Sequence, residues 1–430
     1  MVSYVGLGSN LGHRLQNLEL AAKQIIKAGF PILKASPVYE TPALLPPKAL
    51  EGWNRPFLNA VLKIQCHQQT PKKLLLLLKK MEKEMGREGS IKWAPRVIDL
   101  DILLFGKEII NSSELHIPHP ELIHRNFVLA PLKELDPSLI IPSIGYHKEK
   151  NIKKSYTALE YFRLLKSKLP TWMSILNATP DSFSDGGELH LNNFVSILHK
   201  ISNYCVHIVD LGAESTRPRA IPISSEEEWQ RLKPYIELFF RFYTDKIFRP
   251  KLSVDTRYVK TARKALDMGV DIINDVGGLS NGMIELLKNT KAEYILMHSI
   301  TVPADSKKTL PINKDPVNEI KKWLEEKMSI LEKQKILLDR IIFDPGIGFG
   351  KTADQSLEIL KRIHEFYCFP LRIVVGHSRK SFMKLFSSDS PKERDPESAG
   401  ISLSLAEKGV DILRVHEADF HARVMKGFLS

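Results

Sequence analysis

The sequence predicts two domains, an α+β sandwich followed by an α/β (β/α)8 barrel. Three observations carry this prediction. The chain has 430 residues, which is too long for one ordinary core. Over residues 1–150, apolar β-rich runs are followed by single stretches of helical period without strict alternation, as in an α+β sandwich. Over residues 171–430, eight apolar runs alternate with helical stretches, which is the pattern and size of a barrel.

The composition is that of a globular protein, with 43% hydrophobic and 26% charged residues. No window approaches the roughly 18 apolar residues of a membrane span, and the N-terminal MVSYVGLGSN enters a strand without a leader. We therefore expect a cytoplasmic protein that binds no membrane. Three widely spaced cysteines exclude a disulfide framework and a Cys-x-x-Cys zinc site.

The net charge of +12 fits general solubility, nucleic-acid binding or binding of anionic small molecules. Basic residues are scattered, apart from a run at Lys148–Lys154, and no basic stripe interleaved with aromatic residues occurs. This distribution disfavours nucleic acid. We therefore expect small-molecule substrates as partners and no nucleic acid.

The first elements are predicted from short apolar runs. Val2–Leu7 and Phe57–Ile64 are apolar and rich in β-forming residues, so both predict strands. Leu15–Ile26 has helical periodicity. Pro71–Met85 predicts a second helix, because Thr70 suits the N-cap and proline suits the first turn.

Two aspartates interrupt the apolar segment Trp93–Phe105. Asp99 and Asp101 are two residues apart in a predicted strand, so their carboxylates project from one face. Neighbouring carboxylates repel each other unless a cation lies between them, and Mg²⁺ favours carboxylates together with substrate phosphates. Exposed aspartates on an edge strand are the alternative, which the flanking apolar residues disfavour. Basic residues nearby that could meet the same phosphates are Arg87, Arg96, His119 and Arg125.

Five pieces of this region follow one another in the order of a known family. They are GLGSNLG (Gly6–Gly12), YETP (Tyr39–Pro42), FLNA (Phe57–Ala60), PRVIDLDILLFG (Pro95–Gly106) and IPHPELIHRNFVLAPL (Ile117–Leu132). With them, the region resembles 6-hydroxymethyl-7,8-dihydropterin pyrophosphokinases along almost its whole length. The resemblance implies a ferredoxin-like fold that transfers pyrophosphate from ATP to the pterin hydroxymethyl group and releases AMP.

By this resemblance, Asp99 and Asp101 would hold two Mg²⁺ that bridge the phosphates of the substrate ATP, and would be catalytic together with Arg96. The loop Arg87–Lys92 is one residue shorter than the family's and has Gly89 in place of a second arginine, so it would make fewer charge contacts over ATP. The residues implied in binding phosphate are Arg87, Arg96, His119 and Arg125, and those implied in holding the pterin are Thr41, Phe57, Asn59 and Phe127.

A linker is predicted at residues 151–170, between a first domain of residues 1–150 and a second of residues 171–430. The basic run Lys148–Lys154 is typical of solvated chain. Tyr156–Lys166 has apolar residues three to four apart, which predicts a short helix.

The segment Ile341–Thr352, IIFDPGIGFGKT, ends in the Gly-Lys-Thr of a phosphate-binding P-loop. A P-loop also needs a glycine at the position of Pro345, and the even spacing of the glycines excludes a dinucleotide fingerprint. The segment is therefore predicted to be a buried strand that ends at Asp344 and continues into a glycine loop. Lys351 is a weaker phosphate-binding candidate than Lys380.

Each of the eight apolar runs in the second domain ends at polar residues. The C-terminal ends of all strands of a barrel meet at one face, where the active site lies. Asp255, Asn274 and Asp344 offer hydrogen-bond partners for a ring rich in N–H groups. No serine or cysteine nucleophile beside a base is evident, so this site would bind, orient and stabilise charge. Positive charge for an anionic leaving group comes from Arg217, Lys380, Arg414 and His416, and Asn177 offers a neutral oxygen to Mg²⁺.

Seven pieces of this domain occur in the order of a second known family. They are SILNATPDSFSDGG (Ser174–Gly187), DLGAESTRP (Asp210–Pro218), SVDT (Ser253–Thr256), DIINDVGG (Asp271–Gly278), FDPGIGFGK (Phe343–Lys351), VGHSRKSF (Val375–Phe382) and LRVH (Leu413–His416). With them, the domain resembles dihydropteroate synthases. The resemblance implies that the amine of p-aminobenzoate displaces pyrophosphate from the pterin methyl diphosphate, giving 7,8-dihydropteroate. It also implies a homodimer through the barrel domain.

By this resemblance, Asp344 and Lys380 would be catalytic and Asn177 would bind Mg²⁺. Arg219 and His377 differ from the family pattern near the expected entry of the second substrate. The residues implied in binding the pterin diphosphate are Thr216, Arg217, Asp255, Asn274, Met297, Asp344, Lys380, Arg414 and His416, and those implied for p-aminobenzoate are Phe183, Pro218, Phe349 and Ser378.

Two alternatives remain open from the sequence. A pterin-binding barrel of a folate-dependent methyltransferase explains Asp255, Asn274 and Asp344, but neither the LNATPDSFSDGG loop nor an attached pyrophosphokinase. A non-catalytic protein that binds phosphate or pterin is disfavoured by the retained aspartates together with Lys380 and Asn177. In the favoured interpretation, the product of the first domain is the substrate of the second.

Overall fold

The structure, a computed structural model, describes residues 1–67, 69–87, 93–142, 156–165, 168–178, 189–214, 221–305 and 307–429. The chain forms two compact units. The first consists mainly of Met1–Leu169, and the second of Pro170–Thr244 and Pro250–Phe428. Among the described residues, no helix is both long and apolar enough to cross a membrane.

An antiparallel sheet forms the centre of the first unit. Its strands are β1 (Val2–Ser9), β2 (Ile32–Ala35), β3 (Tyr39–Thr41), β4 (Phe57–Gln65) and β5 (Asp99–Phe105). The strand order is β2-β4-β1-β5, and β3 also pairs with β4. This order is that of a ferredoxin-like sandwich, so the predicted fold class of the first unit is confirmed.

Three helices pack against this sheet. α1 (Arg14–Lys27) contacts β1 and β4, and α2 (Pro71–Glu84) contacts β5. As predicted, Thr70 caps α2, because its hydroxyl oxygen accepts a hydrogen bond from the backbone N–H of Lys73. α3 (Asn126–Leu135) contacts β3 and β4.

A short helix, α4 (Ala158–Leu164), packs against α3. Tyr161 and Phe162 are buried in the same apolar cluster as Leu129 and Leu132. Residues 156–165, which the sequence places in a linker, are therefore part of the packed first unit. Short strand pairs complete this unit: β6 (Ile110–Asn111) with β7 (His116–Ile117), and β8 (Ile140–Ile141) with β9 (Tyr156–Thr157).

The second unit is built around a closed barrel of parallel strands, as predicted. Its strands are β10 (Thr171–Asn177), β11 (Ile208–Gly212), β12 (Lys251–Asp255), β13 (Ile272–Asp275), β14 (Glu293–Met297), β15 (Ile341–Asp344), β16 (Arg372–Gly376) and β17 (Ile412–Val415). Each strand pairs with the next, and β17 pairs with β10 to close the barrel.

One α-helix follows each strand of the barrel, which confirms the predicted alternation. Short 3-10 turns at Ile363–Cys368 and Ser381–Leu385 lie between the later elements. The helices are α5 (Leu191–Asn203), α6 (Ser225–Phe242), α7 (Val259–Asp267), α8 (Asn281–Lys288), α9 (Pro316–Lys333), α10 (Ala353–Lys361), α11 (Asp395–Glu407) and α12 (Ala418–Leu429).

The barrel interior is layered, because side chains alternate between its two faces along each strand. At the strand starts, Lys251 and Arg372 both pair with Glu293, at 2.7 and 3.2 Å. The apolar centre lies in the next layers and consists of Met173, Ile208, Ile272, Ile295, Ile342, Val374 and Ile412.

A polar layer follows this apolar centre towards the C-terminal ends of the strands. On the second, fourth, sixth and eighth strands, the residue two positions beyond the buried isoleucine points into the same interior. These residues are Asp210, Asn274, Asp344 and Arg414. The fold therefore gathers one polar side chain from each alternate strand at the face where barrel enzymes carry their active sites.

Two candidate active sites

The first candidate site is a cavity over the sheet of the first unit. Gly8 pairs with Asn59 on β4 and with Asp99 on β5, and Gly6 pairs with Asp101. A Cβ atom at Gly8 would lie 3.3 Å from Asn59 Oδ1, so the bare glycines keep the floor open. The predicted residues that line this cavity are Thr41, Phe57, Asn59, Arg96, Asp99, Asp101, Arg125 and Phe127.

Two arginines hold the carboxylate of Asp99. Arg87 Nη1 lies 2.6 Å from one oxygen, and Arg96 Nη1 lies 3.2 Å from the other. Arg87 also pairs with the buried Glu82, whose Oε1 accepts a 2.8 Å hydrogen bond from the N–H of Leu100. Glu82 therefore ties Arg87 to the strand that carries both aspartates.

His119 lies beside the other aspartate, with Nε2 3.9 Å from Asp101 Oδ2. Its Nδ1 accepts a 3.1 Å hydrogen bond from the N–H of Glu121, so Nε2 carries the proton of the neutral ring. Burial lowers the pKa of His119, and the charge of Asp101 opposes this effect only in part. At neutral pH His119 is thus an uncharged donor beside the aspartate pair.

The opposite part of the cavity suits a flat ring with a polar edge. Asn59 Nδ2 donates a 2.9 Å hydrogen bond to Thr41 Oγ1, and both side chains are buried. Phe57 and Phe127 offer aromatic surfaces, and the Arg125 guanidinium lies 5.6 Å from the centre of the Phe127 ring. Such a combination of ring faces and a fixed polar edge is typical of sites for aromatic heterocycles.

The second candidate site is the polar layer of the barrel. Asp210 Oδ2 accepts hydrogen bonds from Arg414 Nε at 2.7 Å and from Asn274 Nδ2 at 3.1 Å. Arg414 Nη2 donates to Asp255 Oδ2 at 2.8 Å. Asp210 is fully buried, and its Oδ1 has no hydrogen-bond partner in the described part of the chain. The sequence prediction missed Asp210, although its spacing from Ile208 indicates that it points inward.

Acidic and basic groups lie close together in this site. Burial raises the pKa of Asp255 to about 7 and also raises that of Asp344. Burial lowers the pKa of Lys380 to about 8. Lys380 Nζ donates to the carbonyl of Ile347 and lies 4.8 Å from the centre of the Phe349 ring. Asp255 and Lys380 therefore titrate near neutral pH, where each can donate to or accept from a bound ring.

Other predicted residues lie at the ends of neighbouring strands. Met297 is buried at the end of β14 and pairs with Asp344 on β15. Asn177 ends β10 beside Gly212, where a Cβ atom would lie 3.3 Å from Asn177 Oδ1 and 3.6 Å from Asp255 Cβ. The missing side chain of Gly212 therefore leaves space between Asn177 and Asp255.

Ser378 and His416 contact each other, with Ser378 Oγ 3.0 Å from His416 Nδ1. His377 differs from Ser378 in its surroundings, and its predicted position near the entry of the second substrate stays a prediction. It is fully buried, and its Nε2 lies 2.9 Å from the Oγ of Ser402 on α11. The alternation after β16 turns His377 towards the helix layer and leaves Ser378 on the side of the site.

Part of the predicted site falls outside the described residues, so the roles predicted there stay predictions. These residues are Phe183, Thr216, Arg217 and Pro218, together with the neighbouring Arg219.

Two residues that position the first site were missed by the sequence prediction. Glu82 lies on the buried face of α2, four and eight residues after Leu78 and Leu74, and this helical spacing was the available signal. Asn10 Oδ1 accepts a 2.7 Å hydrogen bond from the N–H of Arg96. No sequence spacing indicates that contact, because 86 residues separate the partners.

Two protein families match the two units. The family described as 7,8-dihydro-6-hydroxymethylpterin-pyrophosphokinase matches residues 4–137, and the family described as pterin binding enzyme matches residues 173–416. Among curated relatives, the folate synthesis bifunctional protein of Chlamydia muridarum is 34% identical over 98% of this chain and 96% of its own length. The folate synthesis bifunctional protein of Arabidopsis thaliana is 34% identical over 96% of this chain and 92% of its own.

Solved structures of dihydropteroate synthases are also similar. The enzyme from Anaplasma phagocytophilum with bound 6-hydroxymethylpterin-monophosphate is 33% identical, covers 60% of this chain and 98% of its own, and has a TM-score of 0.54. The enzyme from Yersinia pestis in a sulfonamide drug complex is 30% identical, covers 60% of this chain and 92% of its own, and has a TM-score of 0.55. The chain therefore belongs to the bifunctional folate-synthesis family, in which a hydroxymethyldihydropterin pyrophosphokinase and a dihydropteroate synthase lie on one polypeptide.

Proposed function

We propose that the two sites catalyse consecutive steps of folate synthesis through the residues described above. The first transfers pyrophosphate from ATP to 6-hydroxymethyl-7,8-dihydropterin and releases AMP. The second condenses the pterin methyl diphosphate with p-aminobenzoate, giving 7,8-dihydropteroate and pyrophosphate. The observation that carries this assignment is that residues from separate sequence motifs meet within each unit, in one cavity of the first unit and in one polar layer of the barrel.

In the first site, the pterin ring would stack between Phe57 and Phe127. Thr41 and Asn59, already bonded to each other, would hydrogen-bond the polar edge of the ring. In this pose the hydroxymethyl group would point towards the aspartates on β5. Its hydroxyl would then be oriented as the nucleophile, which is the main task of a protein in phosphoryl-type transfer.

Mg²⁺ fits the donor set on β5. Asp99 and Asp101 present oxygen donors from one face of the strand, and they share the cavity with Arg96. No group of three or more His, Cys, Asp or Glu side chains in the described ranges is arranged to hold a metal. Water and ATP phosphates would therefore supply the remaining ligands, which is the coordination that Mg²⁺ usually takes. When bound, Mg²⁺ would neutralise charge on the phosphates.

The arginines of the first site would contact ATP phosphates once cations bind the aspartates. Arg87 and Arg96 now neutralise Asp99. Mg²⁺ at Asp99 would make both guanidinium groups available to phosphate oxygens, for which their planar donor pattern is suited. His119 and Arg125 would contact the same phosphates from the other side of the aspartate pair.

In the barrel, the pterin would be held by Asp255, Asn274 and Asp344, with Arg414 across its face. The carboxylate of Asp344 would stabilise positive charge on the ring as the bond between the methylene carbon and the diphosphate oxygen breaks. Lys380 would donate to the ring from beside Phe349. Thr216, Arg217, Met297 and His416 complete the proposed pterin diphosphate site, and Asn177 would add an oxygen ligand for Mg²⁺ shared with the leaving pyrophosphate.

The p-aminobenzoate would bind next to this ring, against Phe349 and Ser378. Phe183 and Pro218 would form the other wall. The amine lone pair forms the new C–N bond as the C–O bond breaks, and the amine proton is lost to solvent or a base. A sulfonamide would compete for this slot, in line with the drug complex of the Yersinia pestis enzyme.

Two single substitutions separate the proposed reactions. The purified chain is mixed with ATP, Mg²⁺, hydroxymethyl-dihydropterin and p-aminobenzoate, and AMP and dihydropteroate are followed. Asp101→Ala should abolish AMP formation but keep synthesis from supplied pterin diphosphate, whereas Lys380→Ala should do the reverse. The reaction that each variant keeps shows that this variant is folded. A pterin-binding methyltransferase barrel would form no dihydropteroate, and that result with the unmodified chain would refute the proposal.

The domain limits and the assembly also stay proposals. Expression of residues 1–170 alone should yield a folded pyrophosphokinase if the first domain ends near the predicted linker. A homodimer through the barrel should appear in sedimentation equilibrium of the full chain. Neither result bears on the assignment of the two reactions.

A further inference from the structure

The lysine that ends the glycine loop of the barrel turns back into the protein. Lys351 follows β15 by seven residues and is only 7% exposed. Its Nζ lies 2.7 Å from His298 Nδ1, 3.0 Å from the His298 carbonyl oxygen and 3.0 Å from the Phe349 carbonyl oxygen. The side chain thus joins the end of β14 to the loop that follows β15.

These three contacts satisfy the amine in either of its protonation states. An ammonium group has three donors, and here it meets three acceptors if the His298 ring is protonated on Nε2. A neutral amine can donate to both carbonyls and accept from Nδ1–H of the other tautomer. Burial, together with the charge of Lys351, lowers the pKa of His298 to about 3, so the ring beside the ammonium group is neutral at physiological pH. The contacts therefore do not depend on the charge of Lys351.

The first residues of the loop pack closely against His298, which follows β14. Gly346 has φ +67°, and a Cβ atom there would lie 1.9 Å from the His298 carbonyl oxygen. The N–H of Gly346 donates to Asp344 Oδ1 at 2.7 Å. The ring of Trp323 on α9 packs edge-on against the His298 ring, with the centres 4.9 Å apart. His298 is thereby a fixed support, to which Lys351 attaches the far end of the loop.

Phe349 connects Lys351 with the site residue Lys380. Its carbonyl oxygen accepts a hydrogen bond from Lys351 Nζ, and its ring lies beside Lys380. The backbone of Asp344, in contrast, is held by strand pairing at the end of β15, and its carboxylate accepts only from the first part of the loop, at Gly346. Loss of the Lys351 contacts should therefore displace Phe349 more than Asp344.

We propose that Lys351 is a positioning residue of the synthase, which holds the 345–350 loop so that Phe349 forms the wall of the p-aminobenzoate slot. It contacts neither substrate. The proposal rests on the assignment of Phe349 to p-aminobenzoate given above, and it gives a role to the one lysine of the glycine-rich motif that phosphate binding does not explain.

The test compares Lys351→Met with Lys361→Met in the full chain. Methionine has a similar length but leaves the two carbonyls without their donor, whereas Lys361 is exposed at the end of α10. For Lys351→Met we expect KM for p-aminobenzoate to rise about ten-fold, while the Kd for pterin diphosphate changes less than about three-fold. Lys361→Met should leave both constants unchanged. If Lys351→Met does not fold, Lys351→Gln, which keeps an amide donor, is measured in the same way.

If Lys351→Met only reduces the amount of folded protein, kcat falls and KM for p-aminobenzoate is unchanged, and the proposal is wrong. The proposal is also wrong if KM for p-aminobenzoate and the Kd for pterin diphosphate rise equally. Phe349→Ala separates this inference from the proposed function. If Phe349→Ala raises KM for p-aminobenzoate and Lys351→Met does not, only the positioning role fails. If Phe349→Ala leaves that KM unchanged, the assigned slot fails, and the positioning role fails with it.

Discussion

Arg414 and Asp210 form the central ion pair of the barrel site, with Arg414 Nε 2.7 Å from Asp210 Oδ2. The partners come from the eighth and second strands, so the pair crosses the interior over β10. The same carboxylate oxygen accepts from Asn274, and the other end of the guanidinium reaches Asp255. One buried carboxylate therefore sets the direction of two side chains that we assign to the pterin.

Asp210→Asn should weaken the synthase without affecting the pyrophosphokinase. Asparagine keeps the shape and one acceptor but loses the charge that holds Arg414. Because a hydrogen bond to a charged group contributes about 1.5–3 kcal/mol, kcat/KM should fall about 10- to 100-fold. Initial rates with supplied pterin diphosphate and p-aminobenzoate measure this effect. Asp267→Asn, at the exposed end of α7, is the matched control, and wild-type kcat/KM in Asp210→Asn would contradict the role.

Glu82→Gln should weaken ATP binding in the first unit. Glutamine still accepts the N–H of Leu100, but it loses the negative charge that draws Arg87 to α2. We expect KM for ATP to rise about five- to ten-fold, because Arg87 would then be less well oriented towards the phosphates. AMP formation at varied ATP measures this change. Glu84→Gln, exposed on the same helix, should behave as wild type, and an unchanged KM in Glu82→Gln would exclude the positioning role.

The fold could be predicted from periodicity because, in both domains, apolar runs mark the strands and stretches of helical period mark the helices. Every barrel strand contains a buried apolar run with a polar residue at or near its C-terminal end, and Asp344 and Asn274 lie where this pattern indicates. The segment at residues 156–165 was harder to place. Its helical period was visible, but its packing against α3 depends on Leu129 and Leu132, which lie in a distant part of the sequence.

Contacts between distant residues limited the prediction of the sites. The partners Arg414 and Asp210 are 204 residues apart, and no local motif shows that they meet. His377 shows the converse case. It is adjacent to Ser378 in the same motif, but its side chain is buried against Ser402 on α11, whereas Ser378 contacts His416. Motifs thus located the strand ends, whereas the direction of each side chain required the barrel.

Glu228 makes the stability of the barrel depend on pH. It is fully buried on α6, and its Oε2 accepts a 2.6 Å hydrogen bond from Thr256 Oγ1. Burial raises the pKa of Glu228 from 4.5 to about 7. Between these values the folded chain holds a proton that the unfolded chain has lost. The contribution of Glu228 to stability is therefore fully present below pH 4.5 and is lost as the pH rises towards 7.

Glu228→Gln should remove this loss, since glutamine does not titrate. Between pH 4.5 and pH 8, the free energy of unfolding of the wild-type barrel should fall by about 3 kcal/mol more than that of the variant. The measurement is urea unfolding of both proteins at several pH values between 4.5 and 8, monitored by a signal that reports on the barrel. Asp255 titrates in a similar range but is present in both proteins, so its effect largely cancels in the comparison. Glu237→Gln, exposed on the same helix, should keep the wild-type slope, and parallel curves for wild type and Glu228→Gln would show that Glu228 is ionised throughout.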